Sequence, residues 1–199
     1  MACVTENSFQ LKTIKCLQTS NFNMSNTFLY FSYGSNLFSK RIHINNPTAI
    51  KKTTAQLKNY RLDFNTFSKN WKGASATIVP TEGFNVWGVV WEIDNSNLPC
   101  LDKQEGVADN IYFPLKVSVK TPEGQILDCR SYQQCNNPEK HINLKLLPEE
   151  RQPSPQYLNV ILKGARENHL PTDYIQFLES ISHNGYNGEI DQSLAPHGV

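Results

Sequence analysis

Hydrophobic positions near the start of the chain form a run over 28–33, interrupted only by Ser32, that stops at Gly34, Ser35 and Asn36. A short apolar run bounded by glycine is typical of a buried strand. Ser and Asn favour a helix start, here over 37–44, and glycine tolerates a positive φ. The pattern therefore predicts a strand, a tight loop and a helix, with loop N–H groups free to bind an anion or an oxygen that gains negative charge.

Short apolar stretches bounded by Gly, Pro, Asn or Asp dominate the middle of the chain. They predict five further strands, over 54–67, 74–79, 85–93, 111–119 and 125–133. A short helix lies between the third and fourth of these, with Asn95 or Ser96 as its N-cap and its end at Glu105 and Gly106. The 111–119 strand alternates apolar and mainly polar residues, which predicts a buried face made of Ile111, Phe113, Leu115, Val117 and Val119.

The hydrophobic period becomes helical in the last third of the chain. The polar, proline-rich segment 135–155 predicts a loop. After it, Ser154 and Pro155 start one helix, and Pro171 and Asp173 start a second. Strands first and helices later, with short connections, predict an α+β domain built on a curved or closed antiparallel sheet.

The length of 199 residues suffices for one sizeable core. We therefore expect one domain over 27–183. Residues 1–26 are polar and lack a clear period, which predicts a disordered N-terminal extension, and 184–199 are expected to form a flexible tail.

Charge and cysteine content narrow the class of partner. The net charge is +1, and Lys and Arg are scattered, so we expect no nucleic-acid or membrane partner but a small molecule. No apolar run approaches the roughly 20 residues of a membrane span. The five cysteines form no C-x-x-C pair, which argues against a disulfide framework or a zinc site and favours a reducing, cytoplasmic location.

Standard catalytic signatures are absent from the sequence. It contains no G-x-G-x-x-G, P-loop, G-x-S-x-G or H-E-x-x-H motif, and its five histidines form no pair at helical ligand spacing. We therefore expect neither a metal nor a cofactor. Ser35 could be a nucleophile, but no histidine stands near it in a recognisable pattern, and a helix cap explains this serine better.

Glu105 is the more informative candidate. At a helix end it could be an ordinary solvated charge. Five tyrosines, however, fall near element ends: Tyr30, Tyr33, Tyr112, Tyr132 and Tyr157. Tyrosines are also ordinary core residues, but beside a half-buried carboxylate they would orient a polar substrate while burial raises the pKa of the glutamate.

Five ordered motifs resemble the γ-glutamylcyclotransferase family. They are YFSYGSNL at 30–37, VWGVVW at 86–91, LDKQEGV at 101–107, CRSY at 129–132 and PSPQY at 153–157. The similarity extends from about residue 28 to about residue 181, and five motifs in one order are far more specific than any one of them.

The resemblance implies a γ-glutamylcyclotransferase-like fold, a small β-barrel-like mixed sheet with flanking helices, and a homodimer as in animal members. It implies a cytoplasmic lyase of glutathione metabolism that converts γ-glutamyl amino acids into 5-oxoproline and the free amino acid. Glu105 would be the general acid and base, and Tyr157 would reach the substrate. The pocket would be shaped by Tyr112 and Tyr132 and lined by Tyr30, Phe31, Ser32, Tyr33, Gly34, Ser35 and Asn36.

Two alternatives stay open at this point. Sister cyclotransferases act on glutathione or on γ-glutamyl-ε-lysine. Their corresponding loop is similar to Tyr-Gly-Ser-Leu or Tyr-Gly-Thr-Leu, whereas YGSNL at 33–37 favours the γ-glutamyl amino acid branch. A relative that binds the ligand without turning it over is the second alternative, and the intact Glu105 argues against it.

Overall fold

The computed structural model describes residues 26–190. Its strands are β1 (Thr27–Ser32), β2 (Ile50–Ser68), β3 (Gly73–Asp94), β4 (Tyr112–Lys120) and β5 (Ile126–Gln134). Its helices are α1 (Ser39–Asn45), α2 (Leu98–Gln104), α3 (Pro155–Glu167) and α4 (Thr172–Glu179). Single 3₁₀ turns occur at Ser35–Leu37, Asn95–Asn97, Leu144–Leu146 and Glu149–Arg151. Among these helices, none is long and apolar enough to cross a membrane.

The strands close into a barrel in the order β1-β3-β2-β4-β5. Four of the five strand pairs are antiparallel, and the closing pair, β1 with β5, is parallel at Tyr30 and Arg130. This mixed barrel with flanking helices confirms the predicted α+β class and the barrel-like sheet. The purely antiparallel sheet expected from the strand pattern is wrong in that one pair, because closing the barrel brings together two strands that run in the same direction.

One long strand, β3, replaces the two that were predicted over 74–79 and 85–93. Its partner β2 pairs with both halves, from Ser68 with Gly73 to Ile50 with Glu92. The pairing skips residues 81–84, which form an irregularity opposite Asn59. Bulges of this kind bend a strand without ending it, so a break in hydrophobicity here did not mean a break in the strand.

The predicted buried face of β4 is only half correct. Val117 and Val119 are buried, but Leu115 is half-buried, and Ile111 and Phe113 are 41% and 40% exposed. The physical reason is the pairing: β4 contacts β2 only where Lys120 faces Gln56, at the C-terminal end of the strand. The N-terminal half of β4 pairs with β5 but not with β2, so its alternation does not produce burial.

Helix α3 holds the segment after β1 in place. It begins as predicted, with the Ser154 hydroxyl accepting from the Tyr157 amide (3.2 Å) and Pro155 in the first turn. At Gly164 a Cβ would lie 2.4 Å from the amide nitrogen of Phe38. Only glycine permits this close approach, which presses α3 onto the 3₁₀ turn Ser35–Leu37.

The predicted terminal segments are described only in part. Residues 1–25 of the expected extension and 191–199 of the expected tail lie outside the described residues. The described start of the tail contacts the domain: the Asn184 amide donates to the Pro153 carbonyl (3.0 Å) and its Nδ2 to the Lys72 carbonyl (2.7 Å).

Candidate active site

The ends of β1, α2 and α3 meet at a small cavity beside β3, β4 and β5. It is lined by Tyr30, Tyr33, Gly34, Ser35, Asn36, Ala76, Glu105, Tyr112, Tyr132 and Tyr157. These elements are distant in sequence, and the barrel brings their polar side chains to one place. The cavity contains every predicted site residue except Phe31 and Ser32.

Phe31 and Ser32 lie behind the cavity instead of lining it. Phe31 is fully buried in the barrel core, because strand alternation sends its side chain to the face opposite Tyr30. The Ser32 hydroxyl donates to the Asn36 carbonyl (3.2 Å) and accepts from Trp91 Nε1 (3.0 Å). Both residues therefore support the loop from the core side.

The loop after β1 differs locally from the predicted geometry. Gly34 has a φ of −112°, so the loop does not use the positive φ that glycine tolerates. Helix α1 starts at Ser39 with Phe38 as its N-cap, not at Ser35 or Asn36, because a 3₁₀ turn intervenes. At Gly34 a Cβ would lie 3.3 Å from the Tyr157 hydroxyl, so the small residue keeps the loop close to α3.

Glu105 stands where α2 ends, as the sequence predicts. Gly106, with a φ of +65°, terminates the helix. The N-cap of α2 is Asn97, not Asn95 or Ser96, and Asp94 caps the preceding 3₁₀ turn by accepting from the Ser96 amide (2.8 Å). Burial is the main reason that the pKa of Glu105 rises from its ordinary value of 4.5 to about 7, with Asp102 raising it further. The charge of Arg41 and the hydrogen bond from Asn36 oppose this rise.

Asn36 connects the carboxylate to its surroundings. Its Nδ2 donates to Glu105 Oε1 (3.1 Å) and to the Tyr30 hydroxyl (3.1 Å), while its Oδ1 accepts from Gln104 Nε2 (2.9 Å). An amide whose oxygen and nitrogen are both engaged has one orientation. Asn36 therefore fixes one carboxylate oxygen of Glu105.

The tyrosines surround this carboxylate as neutral groups. The Tyr33 hydroxyl donates to the Tyr132 carbonyl (2.6 Å), the Tyr112 hydroxyl donates to the Ala76 carbonyl (2.7 Å), and the Tyr157 hydroxyl accepts from the Ala76 amide (3.2 Å). Burial raises the pKa of each, that of Tyr157 to about 12. They stay protonated at neutral pH and act as hydrogen-bonding walls, not as bases.

Asp102 and Arg130 form a support for Tyr132 that the sequence patterns did not reveal. Asp102 Oδ1 accepts from Arg130 Nη2 (2.6 Å) and from the Tyr132 hydroxyl, and Arg130 Nε donates to the same hydroxyl (2.8 Å). The one available signal was that Arg130 and Tyr132 share a strand face at spacing two.

Arg41 is the second residue that the sequence patterns did not assign to the site. It is 5% exposed, its guanidinium lies 5.9 Å from the ring centroid of Trp71, and the Trp71 ring lies 4.9 Å from that of Tyr157. Within residues 26–190, its Nε and Nη1 have no hydrogen-bond partner. A signal existed: Arg41 follows Leu37 by four residues, on the apolar side of a short helix.

The cavity opens into a wide groove. The two share Ser35, Glu105, Tyr112 and Tyr157, and the groove volume is about 970 Å³ against about 40 Å³ for the cavity. The charged residues described in its lining are Arg41, Lys69, Lys103 and Glu105, so cations predominate. The site thus combines a buried acid–base group with an open, electropositive approach.

Comparison with known proteins gives consistent matches. Residues 85–178 match the model of the AIG2-like family. The chain is 45% identical over 172 residues to the gamma-glutamylcyclotransferase of Bos taurus, covering 84% of this chain and 86% of that protein. The Homo sapiens protein of the same name is 42% identical with the same coverage. A solved structure described as gamma-glutamyl cyclotransferase has a TM-score of 0.76 and 41% identity, covering 84% of this chain and 95% of its own.

Proposed function

Because the chain belongs to the γ-glutamylcyclotransferase family and is an enzyme of this type, we propose that it converts γ-glutamyl amino acids into 5-oxoproline and the free amino acid. Glu105 is the single general acid and base of this proposal. The observation that carries it is the position of the Glu105 carboxylate, in the cavity beside the loop at 34–36, with a pKa of about 7.

The reaction needs no external nucleophile. The α-amine of the γ-glutamyl group attacks its own γ-carbonyl carbon, a new C–N bond closes the five-membered lactam, and the original amide C–N bond breaks. An α-amine with a pKa of about 8 is mainly ammonium at neutral pH, so one proton must leave it before attack. The leaving nitrogen must gain a proton when the amide bond breaks.

Glu105 can move that proton in both steps. As a carboxylate it accepts a proton from the attacking ammonium, and as a carboxylic acid it donates the proton to the leaving nitrogen. A pKa of about 7 keeps both forms populated near neutral pH. An ordinary glutamate would be almost entirely ionised there and would be a poor acid.

The loop and the tyrosines position the substrate in this proposal. The Ser35 amide faces the Tyr157 hydroxyl at the wall of the cavity, and both are donors for anionic or carbonyl oxygens. Holding an extended γ-glutamyl group in a bent shape brings the amine to the carbonyl carbon, which lowers the entropic part of the barrier. Burial of the site strengthens each of these hydrogen bonds.

A product assay tests this function. The full chain is incubated with γ-glutamyl-alanine, with glutathione and with γ-glutamyl-ε-lysine in parallel, and 5-oxoproline is quantified. We expect 5-oxoproline and alanine in equal amounts from γ-glutamyl-alanine. Release from glutathione or γ-glutamyl-ε-lysine at a higher kcat/KM would assign the chain to a sister cyclotransferase, and binding without any release would make it a ligand-binding relative.

The proposal extends to a cytoplasmic homodimer that takes part in glutathione metabolism. Free thiols at Cys100, Cys129 and Cys135 suit a reducing compartment. The exposed side chains of Ile111 and Phe113 on β4 are apolar area that a second copy could cover. Light scattering after size exclusion measures the mass, and a mass of one chain at micromolar concentration would remove the dimer from the proposal.

A further inference from the structure

An unpaired buried guanidinium is costly unless something binds it. Arg41 is nearly fully buried, and its Nε and Nη1 find no acceptor in residues 26–190. Removing such donors from water without a partner costs folding free energy. The side chain is nevertheless held in place, because its guanidinium stacks on Trp71, which in turn stacks on Tyr157.

The guanidinium belongs to the groove and not to the inner cavity. Arg41 lines the groove together with Glu105, but it is not part of the cavity lining. Trp71, over whose ring the guanidinium lies, and Tyr157 line the same groove. Arg41 therefore lies in the same groove as Glu105, the group that protonates the leaving nitrogen in this proposal.

A substrate bound for cyclisation would present a carboxylate there. The cavity of about 40 Å³ holds at most the polar end of the γ-glutamyl group, so the leaving amino acid must extend into the groove of about 970 Å³. In a γ-glutamyl amino acid, the free α-carboxylate is two bonds from the leaving nitrogen. Since Glu105 must reach that nitrogen, this carboxylate lies in the groove, where Arg41 is the cation whose buried donors have no partner within residues 26–190.

We propose that Arg41 binds the α-carboxylate of the leaving amino acid and thereby selects substrates with a free carboxylate next to the scissile amide. This inference rests on the proposed function and names the substrate class of the same site. The planar guanidinium matches a carboxylate with two parallel hydrogen bonds. In glutathione the corresponding carboxyl is consumed in a peptide bond, and in γ-glutamylamines it is absent, so neither offers this contact.

The experiment compares two substrates that differ only at this group: γ-glutamyl-alanine and γ-glutamyl-alaninamide. Both are assayed for 5-oxoproline with the full-length wild type, Arg41→Met, Arg41→Lys and Arg166→Met. Arg166 is a matched control, an exposed arginine on α3 paired with Glu179 (2.7 Å). The ratio of the two kcat/KM values cancels any effect of Arg41 on the pKa of Glu105, because that effect is common to both substrates.

We expect the wild type and Arg166→Met to prefer the acid over the amide by about tenfold to a hundredfold, the range for charge-assisted hydrogen bonds. Arg41→Met should bring the ratio close to one, mainly through loss of kcat/KM on the acid. Arg41→Lys, which keeps the charge and loses the planar fork, should give an intermediate ratio.

Three outcomes would overturn the inference. A wild-type ratio near one would show that the carboxylate is not recognised. An Arg41→Met variant that loses activity equally on both substrates would place Arg41 at the γ-glutamyl group or at Glu105 instead. If Arg41→Lys and Arg41→Met both kept the wild-type ratio of kcat/KM on the acid to kcat/KM on the amide, the guanidinium would not be the group that recognises the carboxylate. No 5-oxoproline from either substrate with the wild type would instead remove the proposed function itself, which is a separate result.

Discussion

Two clusters of arginine and carboxylate side chains differ in how completely their hydrogen bonds are made. In the first, the fully buried Asp63 accepts from Arg61 Nε (3.0 Å), from Arg151 Nη2 and from the Phe64 amide (2.8 Å). Arg61 also donates to the Thr81 hydroxyl (2.7 Å) and the Pro138 carbonyl (2.6 Å). In the second, Arg41 keeps two buried donors unpaired among residues 26–190 and Glu105 accepts from Asn36.

This difference in hydrogen bonding distinguishes a cluster that stabilises the fold from one that serves the proposed reaction. A buried charge with all its partners connects distant segments, here β2 with the loop at 138 and the turn at 151. A buried charge without its partners lowers the stability of the folded state. Such unfavourable arrangements are concentrated at sites where a ligand binds. The comparison predicts that mutations in the first cluster change stability, whereas mutations in the second change turnover, specificity and pH dependence.

The largest effect is expected for Glu105→Gln. Glutamine keeps the size of the side chain and an oxygen for the Asn36 hydrogen bond, but it cannot accept or donate the proton. We expect kcat for 5-oxoproline formation to fall by about 10² to 10⁴, the usual contribution of a general acid–base group. KM should change little. Turnover within tenfold of the wild type would remove Glu105 from the proposed mechanism.

Asp63→Asn should produce the largest loss of stability. It leaves Arg61 and Arg151 without their shared carboxylate, and breaking a buried ion pair in this way costs about 3 to 5 kcal/mol. Urea unfolding measures the change. Arg41→Met should alter the free energy of unfolding far less, since Nε and Nη1 of Arg41 have no hydrogen bond to residues 26–190 that the substitution could break.

A matched control for Asp63→Asn is Asp128→Asn, whose partner Lys116 (2.7 Å) is exposed. Surface pairs contribute about 0 to 1 kcal/mol, so this variant should be nearly neutral. If Arg41→Met proved as destabilising as Asp63→Asn, the contrast between the two clusters would not hold.

The pKa of Glu105 also links stability to pH. Between its ordinary pKa of 4.5 and the folded value of about 7, the folded chain retains a proton that the unfolded chain has released. The free energy of unfolding therefore falls as pH rises through this window. Glu105→Gln lacks this loss, so its stability relative to the wild type should rise by about 3 kcal/mol between pH 4 and pH 8. Parallel urea curves at the two pH values measure it, and an unchanged difference would contradict the raised pKa.

The smallest effect is expected at Asn36, which holds Glu105 without reacting. Its hydrogen bond lowers the pKa of Glu105, so Asn36→Ala should move the acid limb of the kcat/KM profile from about 7 to higher pH and reduce the rate about tenfold at pH 7. Asn45→Ala serves as the control, because Asn45 contacts only Gln104 in this network (3.0 Å). A shift of the limb to lower pH would contradict the proposed orientation of Asn36.

Much of the fold could be predicted from local patterns. Gly106 ended α2 beside Glu105, and Ser154 with Pro155 started α3, because a cap depends on the few residues that form it. Alternation of apolar and polar residues was a less reliable guide to which side chains are buried. The alternation in β4 predicted burial of Ile111 and Phe113, but burial requires a partner strand, and β2 reaches only the far end of β4.

The sequence by itself determined the class of the domain, the loop after β1, Glu105 and the surrounding tyrosines, since motifs and capping residues are local and ordered along the chain. Only the tertiary structure decided that Phe31 and Ser32 support the loop from behind and that Asn36 holds the carboxylate instead of capping a helix. It also decided that Arg41 lines the groove with two buried donors that have no partner within residues 26–190. The physical reason is that hydrogen bonding and desolvation depend on which distant segments meet when the barrel closes. No local pattern carries that information.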